Sequence, residues 1–204
     1  MSLPESVRAG VEAALRERVG APAHIRGAAP LGGGCINPSA RLETDRGESF
    51  FLKWNPSADA RMFAAEADGL RALGAGASPG SRGGADPAGA VAGSTIPSGP
   101  GAPSSLRVPE VLGWGGSGTR GDPGWLLLEY IPPAAPAPDY GRRMGEGLAR
   151  LHSSGLAPHG PCYGWNRDNF IGSLPQENDP SSDWTTFWRE RRLQPQLRRA
   201  RDAG

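Results

Sequence analysis

The stretch SFFLKWN, Ser49–Asn55, decides how this chain is read, because it sets a cation in the middle of an apolar strand. Among 22 Lys and Arg residues, Lys53 is the one lysine. Phe50, Phe51, Leu52 and Trp54 around it predict a half-buried or buried β-strand. A charged side chain placed there needs a partner or a ligand. One explanation is a lysine left over in an arginine-biased composition, its stem packed and its ammonium at the surface. The other is a lysine placed to meet an anion.

The segments on either side predict a small antiparallel sheet. An amphipathic helix is expected over about Pro4–Val19, with Val7, Val11, Ala14 and Leu15 on one side. Strands follow near His24–Leu31 and Ala40–Glu43, joined by GGGCINP, and Asp45-Arg46-Gly47 reads as the hairpin turn into the Lys53 strand. Beyond it, a helix is predicted over Asp59–Leu73, then strands in RVPEVLGW and GWLLLEYI, then the stiff connector IPPAAPAP. From Asp139 the pattern turns helical. Asp139 is a candidate cap for a helix bearing Met144, Leu148, Leu151 and His152. A second helix is expected from Ser181–Asp183, with Trp184, Phe187 and Trp188 at helical spacing, until Pro195 kinks or restarts it. The class is α+β, with residues 1–131 as one lobe and 132–204 as hinge plus a helical lobe.

Composition narrows the function classes. With 31 Gly and 21 Pro in 204 residues, the punctuators concentrate in Gly74–Pro103, read as a low-complexity insertion occupying about 74–105. The formal net charge of +1 provides no basic field for nucleic acid. The charged N-terminus is no signal peptide, and no segment approaches a membrane span, so a soluble cytoplasmic protein is expected. Cys35 and Cys162 are too few for a disulfide framework or a zinc site.

On the predicted Asp59–Leu73 helix, Glu66 lies four residues from both Met62 and Leu70, so it shares their apolar stripe. A carboxylate on a packing face is costly unless it meets a cation, and Lys53 is the nearest candidate. A strand lysine paired with a glutamate of the next helix is the ion pair with which kinases hold the α- and β-phosphates of ATP. An exposed rim salt bridge is the plainer alternative. Gly32, Gly33 and Gly34, with Cys35 and Asn37 behind them, form a connector whose backbone N–H groups can approach phosphates, about 20 residues before the lysine. It is neither GxGxxG nor a Walker A motif. Glu129, Tyr130 and Ile131, ending a buried strand before the proline connector, are placed to meet an adenine ring.

GGGCIN, FFLKWN, MFAAEADGLRAL, RVPEVLGWG, LLLEYI, LARLH, YGWNRDNFIGSLPQEN and DWTTFWRERRLQPQL together resemble the fructosamine kinase (ketosamine-3-kinase) family. That family belongs to the aminoglycoside-phosphotransferase branch of the protein-kinase-like fold. The likeness runs in order through nearly all of the chain outside Gly74–Pro103, and GWNRDNFIG with PQ, Asn178 and DW after it is its most discriminating part. The resemblance implies ATP and Mg²⁺ as cofactors. It also implies ketosamine adducts on small amines or protein lysines as substrates, and phosphorylation that destabilises the adduct and frees the amine.

Some features depart from that pattern. HGPCYGWN, His159–Asn166, has the spacing of a His-Gly-Asp catalytic loop but carries Pro161 at the aspartate, and it reads as a decoy. The catalytic-loop aspartate and the magnesium ligands are therefore expected beyond Gly204, the chain being read as an amino-terminal fragment with a truncated helical lobe and little transferase activity of its own. The faces bearing Leu151, Trp184, Phe187 and Trp188 are then expected to be exposed. Asp168 and Asn169 are weaker candidates for the sugar pocket, His152 reads as a packing residue, and Arg41, Glu43 and the arginine-rich tail as solvated surface. Cys35 beside an anion site is a candidate redox-sensitive thiol. Two alternatives remain open: a kinase for an aminoglycoside or choline-like amine, and a catalytically inert nucleotide-binding module.

Overall fold

In the computed structural model, alternation along β3 (Ser49–Asn55) sorts its side chains between two helices. Leu52 and Trp54 point to one face of the sheet and pack with Val7, Val11 and Leu15 of α1 (Glu5–Val19). Phe51 lies on the other face, against the cluster of Met62, Phe63 and Ala67 from α2 (Arg61–Ala77). The structure describes residues 1–32, 36–59, 61–77, 106–153 and 162–204. Gly33, Gly34 and Cys35, most of the low-complexity insertion, and the decoy's His159 and Pro161 lie outside the described residues.

The remaining strands are β1 (Ile25–Leu31), β2 (Ser39–Thr44), β4 (Val111–Gly115) and β5 (Gly124–Glu129). With β3 they form an antiparallel sheet in the order β1-β2-β3-β5-β4. Strand β5 lies inside the sheet, between β3 and β4, and is nearly all apolar, as a strand covered on both faces must be. Its Trp125 and Leu127 join the α1 side, its Leu126 and Leu128 the α2 side. The β2–β3 hairpin turns at Gly47, whose φ of 80° is easy only for glycine. Helix α2 continues to Ala77, four residues past the expected end at Leu73, because Gly74 and the small residues after it do not stop a helix already packed on a sheet.

The chain folds as two compact units. The first contains the described residues of Met1–Arg71, Pro109–Pro132 and Ala157–Gly204. It holds the sheet, α1, most of α2, a second hairpin of β6 (Asn169–Ile171) and β7 (Leu174–Gln176), and the C-terminal helices. Those helices are α4 (Trp184–Trp188), a π-helical turn Arg189–Leu193, and α5 (Gln194–Asp202). The π turn ends two residues before Pro195, whose missing N–H removes a ladder bond to that turn and loosens the winding there. The second unit contains the described residues of Ala72–Val108 and Pro133–Leu156, chiefly α3 (Tyr140–His152). In it Gly147 lies against Leu106. Asp139 sits at the start of α3, but its carboxylate makes no cap bond and pairs instead with Arg142 at 2.7 Å.

Candidate nucleotide-phosphate site

Lys53 occupies an odd position of β3, so it faces α2 with Phe51, not α1 with Leu52 and Trp54. The helix returns Glu66 to meet it: Lys53 Nζ donates to Glu66 Oε1 at 2.6 Å. Side-chain exposures of 26% and 32% leave both groups within reach of a ligand without dissolving the pair in solvent. The two oddly placed charges of the sequence are thus one ion pair.

The glycine-rich connector leads from β1 into β2, whose first residue, Ser39, is the direct cross-strand neighbour of Lys53. Its C-terminal described end is fastened to the same region. Asn55 Nδ2 donates to Asn37 Oδ1 at 2.8 Å and to the Ile36 carbonyl at 3.3 Å, while Asn37 Nδ2 approaches Met62 Sδ of α2 at 3.9 Å. Gly32 has open space where a Cβ would stand. The connector is therefore anchored beside the lysine at its Ile36–Asn37 end.

At the far end of β5, Glu129 pairs across with Phe50, and its Oε2 accepts from the Glu110 backbone N–H at 3.3 Å. Tyr130 follows on the opposite face, and the Arg41 guanidinium carbon stands 5.2 Å from its ring centroid. Arg41 is also bonded to Glu43 at 2.7 Å and to Ser49 Oγ at 3.3 Å on the lysine-bearing face, and with a side chain 40% exposed it remains at the surface, as the sequence suggested. Ile131 is exposed.

Residues 163–178 fold onto the helix that carries Glu66. Trp165 Nε1 donates to Asp68 Oδ2 at 2.6 Å, and Arg167 Nη1 to the Ala64 carbonyl at 3.3 Å. Phe170 packs on the α2 cluster, and a Cβ at Gly172, on the hairpin tip, would stand 3.2 Å from Ile36. The hub of this segment is Asn178, only 2% exposed. Its side chain donates to the Arg167 carbonyl at 3.0 Å and accepts from Arg192. Its backbone N–H donates to Asp168 Oδ1 at 2.9 Å, and its carbonyl accepts from Trp165 N at 3.0 Å. Asp168 is therefore committed to holding the segment's own turn. Asn169 Oδ1 is buried and has no hydrogen-bond partner among the described residues. Asp68, Trp165 and Asn178 are site-shaping residues that the sequence reading passed over. The signal available was a polar residue, Asn178, closing the run YGWNRDNFIGSLPQEN.

Of the aromatic face expected to be bare, Trp184 and Trp188 are exposed and stacked with centroids 5.3 Å apart, but Phe187 is buried. Trp184 covers one side of Phe187, and the Arg192 guanidinium lies 4.5 Å from its centroid. That burial also lowers the pKa of Arg192 by desolvation. Among the described residues no group of three His, Cys, Asp or Glu side chains could hold a metal ion, so no role for Mg²⁺ is derived from them. Among them, too, no helix is long and apolar enough to cross a membrane.

An antiparallel sheet carrying a strand lysine bound to a helix glutamate, with a glycine-rich connector between its first two strands, defines a protein-kinase-like fold. The chain belongs to the fructosamine kinase family, whose profile matches residues 8–79 and 102–204. It is 36% identical over 178 residues to the chloroplastic protein-ribulosamine 3-kinase of Arabidopsis thaliana, covering 84% of this chain and 43% of that protein. Over 187 residues it is 30% identical to a Synechocystis protein named "Probable ketoamine kinase slr1563", covering 92% and 52%. A crystal structure from Thermobifida fusca, assigned as a fructosamine-3-kinase, superposes with a TM-score of 0.63 at 30% identity, over 95% of this chain and 55% of that one. Another so assigned, from Haemophilus somnus, gives 0.71 over 96% and 55%; at 24% identity it speaks for the fold alone. The chain spans about half the length of the curated relatives it matches.

Proposed function

We propose that this chain carries the ATP-binding part of a kinase acting on ketosamines, the sugar adducts of amines. The observation that carries the reading is the 2.6 Å contact between Lys53 and Glu66. In it the ammonium is a compact point charge offered to the α- and β-phosphates, and the carboxylate holds its flexible stem in place. Around it, the connector containing Gly32, Gly33, Gly34, Cys35 and Asn37 would supply backbone N–H groups to the phosphates. Glu129, Tyr130 and Ile131 would receive the adenine. Asn169, with its unspent buried acceptor, is a better candidate for a substrate hydroxyl than Asp168, whose carboxylate already accepts from Asn178.

The sugar-amine substrate class is supported by the names of the relatives, a ribulosamine 3-kinase and a ketoamine kinase. ATP supplies the phosphoryl group; the described residues supply its grip, its orientation and the charge that compensates it. Binding, with little or no transfer, is the activity we expect from these 204 residues. Calorimetric titration with ATP tests the first part, and absence of binding refutes it. ADP release in the presence of ribulosyl and fructosyl amines, an aminoglycoside and choline tests the second. Release driven by the aminoglycoside or choline alone would overturn the ketosamine reading, and rapid release with a ketosamine would overturn the expected lack of transfer.

A further inference from the structure

We propose that Asp68 and Trp165 are positioning residues for the nucleotide's phosphates. Their hydrogen bond fixes the rotation of helix α2, and through it the contact between Glu66 and Lys53. The inference rests on the reading of Lys53 as a phosphate ligand.

Helix α2 meets the sheet through Met62, Phe63 and Ala67; this stripe sets which face is buried, but apolar burial is non-directional, so it does not fix the fine rotation of the helix. Directional bonds must do that. On one side there is Glu66 to Lys53 at 2.6 Å. Asp68, two residues on, points about 200° away around the helix, where it accepts from Trp165 Nε1 at 2.6 Å. Ala64 and Asp68 are i and i+4, hence on one face, and the Ala64 carbonyl receives Arg167 at 3.3 Å. The helix is thus pinned from both sides, by the strand that carries the lysine and by the 163–178 segment.

The second pin is itself rigidly mounted. Trp165 N and the Arg167 carbonyl are both tied to the buried Asn178, and Arg192 of the π turn closes on the same asparagine. Phe170 anchors the hairpin in the α2 cluster. A neutral indole N–H donating to a carboxylate is a charge-assisted bond, stronger than an ordinary neutral pair and sensitive to direction. Losing it lets α2 turn slightly about its axis, enough to lengthen the Glu66–Lys53 contact while the apolar stripe stays buried. The 163–178 segment would then act on phosphate binding through a helix, without touching the nucleotide.

The test is calorimetric titration of the full 204-residue chain with ATP and with adenosine, in the wild type, D68A, D68N, W165F, K53M and the D68A/K53M double variant. We expect D68A and W165F to weaken ATP about threefold to tenfold, the range for coupling through one packed element, and to leave adenosine unchanged. D68N keeps an oxygen acceptor and should fall between the wild type and D68A. In the K53M background D68A should add nothing, because the group it positions is gone. Should D68A melt out of the folded state, D68N and W165F carry the same comparison. Hydrogen exchange supplies a readout without mutation: by linkage, ATP should protect 165–178 and adenosine should not. Equal weakening of ATP and adenosine, additivity with K53M, or exchange at 165–178 indifferent to ATP would reduce the bond to a structural staple and overturn the proposal. Failure of the wild type to bind ATP would instead refute the proposed function, whereas ATP binding that K53M weakens and D68A does not would overturn this inference alone.

Discussion

Replacing Lys53 with Met separates what the ion pair does for the fold from what it does for a nucleotide. The substitution keeps an unbranched stem of similar length and removes the ammonium. Both partners are partly exposed, 26% and 32%, so solvent screens the pair and its own contribution to stability is under about 1 kcal/mol. The orphaned Glu66 carboxylate can turn to water instead of being trapped. Contact with a phosphate is different: a hydrogen bond between charged groups is worth about 1.5–3 kcal/mol. At about 1.4 kcal/mol per factor of ten, ATP affinity should fall by one to two orders of magnitude. Calorimetry gives that number directly, and a thermal melt should show only a small shift. Raising salt should weaken ATP binding more steeply in the wild type than in K53M, because one screened charge contact has been removed. ATP affinity within twofold of wild type would refute the assignment of Lys53 to the phosphates, whatever the family likeness.

Three other outcomes follow from the geometry. Asn178→Ala removes a buried side chain that bonds the Arg167 carbonyl and Arg192, and should cost about 2–3 kcal/mol in denaturant unfolding, with faster proteolysis within 163–178. Gly116→Ala should destabilise by about 1–3 kcal/mol, because φ is 81° and the new Cβ would stand 2.0 Å from the Pro123 carbonyl oxygen; Gly121→Ala, with nothing within 4 Å, should be near neutral in the same melt. Arg61 hydrogen-bonds the Asp59 carboxylate and holds its pKa at about 2, so the stabilisation is full above the unfolded carboxylate value of about 3.9 and lost as pH falls through 2. In a pH series of melts, Asp59→Asn should flatten that acid limb by losing the small, solvent-screened stabilisation throughout the range above about pH 4, and leave the acid end nearly unchanged.

The sheet and its two helices were legible because each element answers to a local rule. Alternation places Leu52 and Trp54 against α1 and turns Lys53 toward α2. The period of four from Met62 to Glu66 makes the carboxylate share a packing stripe. An ion pair between adjacent elements is the one way to satisfy both, so two misplaced charges were enough to predict it. Glycine 47 and the turn it closes were readable for the same local reason. The cap at Asp139 was not, because Arg142 three residues on competes for the same carboxylate.

What the sequence concealed is the long-range part. Trp165 and Asp68 are separated by 97 residues, and no periodicity links an indole in a turn-rich run to one carboxylate among several on a helix. The β6–β7 hairpin has strands of three residues each, below the length at which alternation becomes a signal. Phe187 read as part of an exposed stripe because helical spacing reports which residues share a face, not what covers it; the cover is Trp184 on its own helix and Arg192 a turn beyond. Each of these contacts converts a polar or aromatic residue with no local role into a fastening for α2 or for the segment that grips it. The chemistry of the site can therefore be read from two residues thirteen apart, but its rigidity depends on residues more than a hundred positions beyond the lysine. If that division holds, variants at Asp68, Trp165 and Asn178 should change how well Lys53 works without any of them approaching a phosphate.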